Sequence, residues 1–173
     1  MLQGYPKQVA LKNGQQVALR PMVREDEKAL LQFFQELPLE DRQFLKDDVT
    51  DPKVIEAWSK NLDYERIVPI LAIFENRVIG DATLHRDKFG WSKHVAEIRI
   101  VTDPKLRRKG LGLHLAGEIF SLAQKLNIRK VTAQMMRISK RPSRSSTRSA
   151  LNGRQCFETM SWISKERSTI SSS

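Results

Sequence analysis

The chain has 173 residues, 40% of them hydrophobic, with 30 Lys+Arg against 20 Asp+Glu and a net charge of +10. That length supports one domain with a real core. No apolar run approaches the roughly 20 residues that span a bilayer, and Met1 to Ala10 lacks the apolar centre of an export signal, so no membrane partner is expected. A single cysteine, Cys156, excludes an internal disulfide and suits the cytoplasm, and three scattered histidines offer no metal-ligand spacing, so no metal is expected.

The charge is uneven. Residues 1–136 hold 22 Lys+Arg and 18 Asp+Glu, a net of +4, whereas residues 137–173 hold 8 and 2, a net of +6. Binding to nucleic acid would have to rest on that tail. It carries few aromatics, only Phe157 and Trp162, so any such binding is expected to be weak, non-specific and salt-sensitive.

In chain order, Met1 to Gln15 reads as a polar lead-in with a turn at Asn13-Gly14. Gln16 to Pro21 alternates as a first strand. Arg24 to Glu27 opens a helix with acids where the helix dipole favours them, and Leu30, Leu31, Phe33, Phe34 and Leu37 form its apolar stripe before Pro38. Leu39 to Leu45 predicts a second short helix. Thr50 or Asp51 caps a third, with Pro52 in its first turn and Val54, Ile55, Trp58 and Leu62 on its buried side. Ile67 to Phe74, Val78 to His85 and His94 to Val101 read as a three-strand meander with turns at Glu75–Arg77 and Asp87–Ser92. A helix from about Gly112 to Leu126 and a strand from Arg129 to Met136 follow. The order is β-α-α-β-β-β-α-β, and a helical crossover makes the last two strands parallel neighbours.

The chemistry concentrates where the third meander strand meets the last helix, in V-T-D-P-K-L-R-R-K-G-L-G-L-H-L-A-G from Val101 to Gly117. Pro104 stops the strand. Arg107, Arg108 and Lys109 are consecutive cations, and Gly110 and Gly112 let backbone N–H groups approach an anion closely at the start of a helix. A Walker loop is absent, and a dinucleotide fingerprint would need glycine at Leu115.

Arg107-x-x-Gly110-x-Gly112 after an extended run ending in Pro resembles the acyl-CoA pyrophosphate loop of the GNAT superfamily of N-acetyltransferases. The order of elements is similar too, over about residues 17–136. The resemblance implies an α/β GNAT fold, a mixed sheet flanked by helices, in a domain spanning 1–136. It implies acetyl-CoA as co-substrate and an amine acceptor as partner, with a homodimer compatible. It places Arg107, Arg108, Lys109, Gly110, Leu111, Gly112 and Leu113 at the phosphates. The backbone of Ile100, Val101 and Thr102 falls along the pantetheine arm. Glu97 takes the place of the acid that deprotonates the substrate ammonium. Alternation sets Val95, Glu97 and Arg99 on one strand face and Ala96, Ile98 and Ile100 on the other. An acid in such a strand either faces solvent or has a task. The tyrosine that protonates the departing thiolate in many relatives has no counterpart here, since Tyr5 and Tyr64 precede the core strands. His85 and His94, near strand ends, read as surface histidines, and Trp58 and Trp91 read as core or edge packing with the lining of a substrate pocket as the alternative.

From Arg137 the pattern changes, with eleven Ser and six Arg in 37 residues and no helical or strand period. The GNAT fold needs a further helix and strands there. Read from the third base of each codon, the same segment can open Asp-Gln-Gln-Ala-Ala-Ile-Lys-Val, hold a Gly-Phe pair at residues 149–151 and end His-Asp-Leu-Val-Ile. Residues 137–173 are therefore expected to be disordered or frameshifted, with the fold's C-terminal elements altered or missing, the sheet position beside Arg129–Met136 open and catalysis impaired. A non-catalytic acyl-CoA-binding relative is the alternative to an active enzyme.

Overall fold

The structure, a computed structural model, describes residues 2–42, 45, 47–136 and 157–163; the side chains of Trp91, of residues 134–136 and of residues 157–163 lie outside the description. In chain order the elements are β1 (Lys7–Ala10), β2 (Gln16–Pro21), α1 (Glu27–Glu36), α2 (Leu39–Arg42), α3 (Pro52–Lys60), β3 (Ile67–Phe74), β4 (Arg77–Arg86), β5 (Val95–Thr102), α4 (Leu111–Lys125), β6 (Lys130–Met136) and β7 (Phe157–Ile163). The seven strands form one sheet in sequence order. All neighbours are antiparallel except β5 and β6, which are parallel across the α4 crossover.

The sheet buries both faces. Towards α4, Ala96 and Ile98 of β5 and Ala82 and Leu84 of β4 pack on Leu111, Leu115, Ile119 and Leu122. A fully buried leucine column on α4 removes roughly 1.5–3 kcal/mol of apolar exposure per side chain. Gly80 allows the close approach, because a Cβ there would sit 3.0 Å from Leu115 Cδ1 and 3.3 Å from the Val101 carbonyl oxygen. On the other face α1 and α3 cover Leu71, Val78 and Val101 with Leu30, Phe33, Phe34 and Ile55. Asp51 caps α3 by accepting from the Lys53 amide at 2.9 Å, and Pro52 fits its first turn.

Two expectations are overturned. The lead-in is not wholly irregular, because Lys7–Ala10 forms the edge strand β1 against β2. Lys7 and Val9 face inward, and the Lys7 amine holds the two carboxylate oxygens of buried Glu118 on α4 at 2.8 and 2.9 Å. The sheet position beside β6 is not open either, since β7 pairs along its whole length, from Lys130↔Ile163 to Met136↔Phe157. The expectation of disorder for the rest of the tail falls on residues 137–156 and 164–173, outside the described residues.

Candidate active site

Pairing between β5 and β6 covers only Val95↔Lys130 to Ile98↔Ala133. Beyond that point β5 keeps its β4 partners, from Thr83↔Arg99 to Gly80↔Thr102, but has no partner on the β6 side among the described residues. Pairing of the two parallel strands thus ends midway and leaves hydrogen-bonding groups of the β5 backbone from Arg99 to Thr102 unpaired towards β6 among the described residues. Ile100, Val101 and Thr102 are half-buried there. Ile100 packs towards α4 and Val101 towards α1, so their side chains hold the strand from both faces.

The chain leaves β5 through a single 3-10 turn, Pro104–Leu106, capped by Asp103, which accepts from the Lys105 amide at 2.8 Å. Arg108 follows at φ 64° and Gly110 at φ 93°. These left-handed positions turn the backbone sharply before α4, and the Lys12 amide fixes the turn by donating to the Lys109 carbonyl at 3.0 Å. The first-turn amides of Leu111 and Gly112 lack intrahelical acceptors. A Cβ at Gly112 would meet no atom within 4 Å, so that side of the turn is open. The residues fit an acyl-CoA pyrophosphate: exposed cations at Arg107 and Arg108, a left-handed glycine and amides at the positive end of a 15-residue helix.

The predicted contributors differ in kind. Leu111 is fully buried among the α4 core and can offer only its backbone, while Leu113 projects outward at 75% exposure. Arg107 is ion-paired with Asp41 of α2. Glu97 is half-buried just before the strands part, 3.8 Å from Arg99 Nε on the same strand face. Its cross-strand partners are His85 and Thr132. It lines a wide opening with those two residues, Asp63 and Arg66.

Beside that opening lies a cavity of about 270 Å³ between α1, α3 and the sheet. Its walls include Met22, Leu30, Phe34, Trp58, Leu62 and Ile67. Trp58 therefore lines a cavity while stacking edge-on against Phe34, with ring centroids 6.1 Å apart. Asp81, Thr83, His85 and Arg99 form its polar side. Asp63, Ile67 and His85 line both spaces, so cavity and opening adjoin. Asp81 is buried, and the Thr83 hydroxyl donates to its two oxygens at 3.2 and 3.1 Å. Burial pushes its carboxyl up to about 7, against the opposing pull of that hydroxyl and of Arg99. The sequence reading did not single out Asp81; the available signal was a lone acid inside V-I-G-D-A-T-L-H on the same face as Thr83 and His85.

Of the remaining candidates, His94 is structural, with Nδ1 3.1 Å from the Asn127 carbonyl oxygen. The Tyr64 hydroxyl donates to the Met22 carbonyl, and the Tyr5 hydroxyl to Glu118. Burial, then the Glu118 hydrogen bond and charge, raises the Tyr5 pKa. Among the described residues no group of His, Cys, Asp or Glu is disposed to hold a metal, and no helix is long and apolar enough to cross a membrane.

A mixed sheet whose parallel strands part ahead of a basic glycine turn defines the acyl-CoA N-acyltransferase class of fold. The chain belongs to the acetyltransferase (GNAT) family, whose sequence model matches residues 29–139. Among solved structures it is similar to the GNAT domain of S. lividans PAT, at TM-score 0.68 and 18% identity over 77% of this chain and 80% of that one. It is also similar to a GNAT-family acetyltransferase from Streptococcus pneumoniae, at TM-score 0.61 and 20% identity over 72% and 77%. The ribosomal-protein-alanine N-acetyltransferase from Brucella melitensis follows at 0.56 and 19% over 68% and 74%. At these identities the likeness is one of fold. No curated protein matches the sequence significantly.

Proposed function

We propose that this chain is a cytoplasmic N-acetyltransferase that takes an acetyl group from acetyl-CoA and delivers it to a primary amine of a small molecule or protein. The observation that carries the reading is the end of β5–β6 pairing at Ile98↔Ala133, one strand length ahead of the turn at Gly110. Bound there, acetyl-CoA supplies an acyl carbon activated by its thioester. The Arg99–Thr102 backbone would align the pantetheine. The amides of Leu111 and Gly112, with Arg107, Arg108 and Lys109, would hold the pyrophosphate.

The acceptor arrives as an ammonium and must lose a proton before its nitrogen can attack. Glu97, at the opening where the strands part, takes that proton. The new N–C bond replaces the C–S bond, and the nitrogen sheds a second proton. One of the two protons ends on the CoA sulfur and the other reaches solvent. A CoA thiolate is a tolerable leaving group, so a positioned general acid is not essential.

Calorimetric titration with acetyl-CoA, followed by a CoA-release assay over an amine panel, tests the reading. Binding with amine-dependent release supports it. Binding without release on any amine makes the chain an acyl-CoA-binding relative, and no binding removes the assignment.

A further inference from the structure

We infer that the 270 Å³ cavity receives the non-reacting end of the acceptor, and that this end carries a second cationic nitrogen paired with Asp81, making the preferred acceptor a diamine with an apolar spacer. The inference deepens the acetyltransferase reading and rests on it for the identity of the reacting end.

The cavity walls are mainly apolar, which suits methylenes and makes an unpaired polar group there costly. Asp47 and Asp63, from the loops beside α3, His85 from β4 and Arg99 from β5 line the same cavity as Asp81. Of these, Arg99 is the one whose charge acts on the Asp81 carboxyl. Arg99 lies 3.8 Å from Glu97, so its charge is shared with that carboxylate. Three carboxylates against one guanidinium make the cavity favour a cation. Asp81 itself is held by Thr83 with both oxygens on the cavity side of β4. Burial holds its carboxyl near 7, and a cation at this depth restores the ionised form that burial disfavours.

The spacing sets the length. Asp81 and His85 lie on one face of β4, four residues and about 13 Å apart along the strand. Glu97 is the cross-strand partner of His85. An extended diamine with one nitrogen at Asp81 would therefore carry its other nitrogen past Ile67 and His85 to the opening beside Glu97. The two acids divide the work: Glu97 meets the nitrogen that reacts, and Asp81 selects the one that does not.

The test compares octylamine with octane-diamine, amines at both ends, on the native protein and on Asp81→Asn. Binding is measured by calorimetry without acetyl-CoA, and turnover is measured separately. The native protein should bind the diamine more tightly than the monoamine. Asp81→Asn should weaken diamine binding by roughly thirtyfold or more and abolish its advantage over octylamine, since removing one partner of a buried charge pair is costly. Diamine affinity of the native protein should also rise as pH passes about 7, where Asp81 ionises. His85 can titrate in the same range, and the Asp81→Asn protein isolates its share. Retained acetyl-CoA affinity and a single cooperative melt, no lower than that of the native protein at neutral pH, show that the variant is folded. If it misfolds, the native pH profile and the monoamine–diamine comparison still decide. Equal affinity for both amines, or a diamine preference that survives Asp81→Asn, overturns the inference. Asp81-dependent diamine binding without acetyl transfer to any amine keeps the diamine site at Asp81 and removes the acetyltransferase reading, and with it the role of acceptor.

Discussion

Arg107 and Asp41 form an ion pair that ties the turn before α4 to the helix α2. Arg107 is half-exposed, and Asp41 is the more sheltered partner. A partly exposed pair of this kind contributes roughly 0–1 kcal/mol to stability, so its interest lies in what it occupies. The same guanidinium is a candidate for the pyrophosphate.

Asp41→Asn should therefore release Arg107 to a phosphate. Acetyl-CoA affinity should hold or rise a few-fold, with a steeper salt dependence. Arg107→Gln should lower affinity. Calorimetry at low and high salt reads both, because screening weakens exposed charges first. If both substitutions lower affinity alike, the pair positions the turn rather than restraining a phosphate ligand.

The two glycines of the turn separate backbone strain from anion binding. Gly110 sits at φ 93°, so a side chain there costs about 1–2 kcal/mol wherever it points. Gly110→Asp therefore mixes backbone strain with charge and does not test the anion site. Gly112 has helical geometry and open space around its Cβ direction. Gly112→Asp should keep the melting temperature within a few degrees and weaken acetyl-CoA by roughly tenfold or more, as a carboxylate faces the phosphates. Unchanged affinity in the folded variant would sink the phosphate assignment.

Glu97 makes a kinetic prediction. Glu97→Gln preserves shape but removes the charge that faces Arg99 at 3.8 Å and accepts no proton. Turnover at neutral pH should fall by roughly a hundredfold with acetyl-CoA affinity nearly constant. The deficit should shrink at high pH, where the amine arrives already neutral. A parallel pH–rate profile in both proteins would assign Glu97 to packing around Arg99.

The strands β3, β4 and β5 and the helix α4 were legible because their burial follows local periods of two and 3.6 residues. The glycine turn was legible because phosphate contact is a backbone property tied to a few residue types. β1 was not, since Lys7–Ala10 offers one large apolar residue, Val9, and owes its place to the pairing of Lys7 with Glu118, more than a hundred residues away. Asp81 was hidden for a related reason. Its alternation within β4 was readable, but its burial depends on α1 and α3 covering that face, and on Phe34 and Trp58 shaping a cavity rather than filling it. β7 had no readable period and is defined only by its pairing with β6.

Asp81 also sets a pH dependence of stability. Burial raises its folded carboxyl to about 7, from 3.8 when exposed. Between those values the folded protein holds a proton that the unfolded chain has released. Folding then takes up a proton, and stability declines as pH rises through this window. Below it both states are protonated and the full stability is present; above about 7 the loss is complete. Asp26 titrates in the opposite sense. Its burial is outweighed by hydrogen bonds from Arg20 and Val23, so its pKa is lowered and its contribution is lost only at more acidic pH. Asp81→Asn keeps an acceptor for Thr83 and carries no charge. Chemical denaturation at about pH 5 and about pH 8 should show the native protein losing on the order of a few kcal/mol relative to Asp81→Asn across that interval. Saturating octane-diamine should reduce the native decline, because a bound cation favours the ionised carboxyl. Matching slopes for the two proteins would mean that Asp81 is solvated in solution, and the cavity would lose its buried charge.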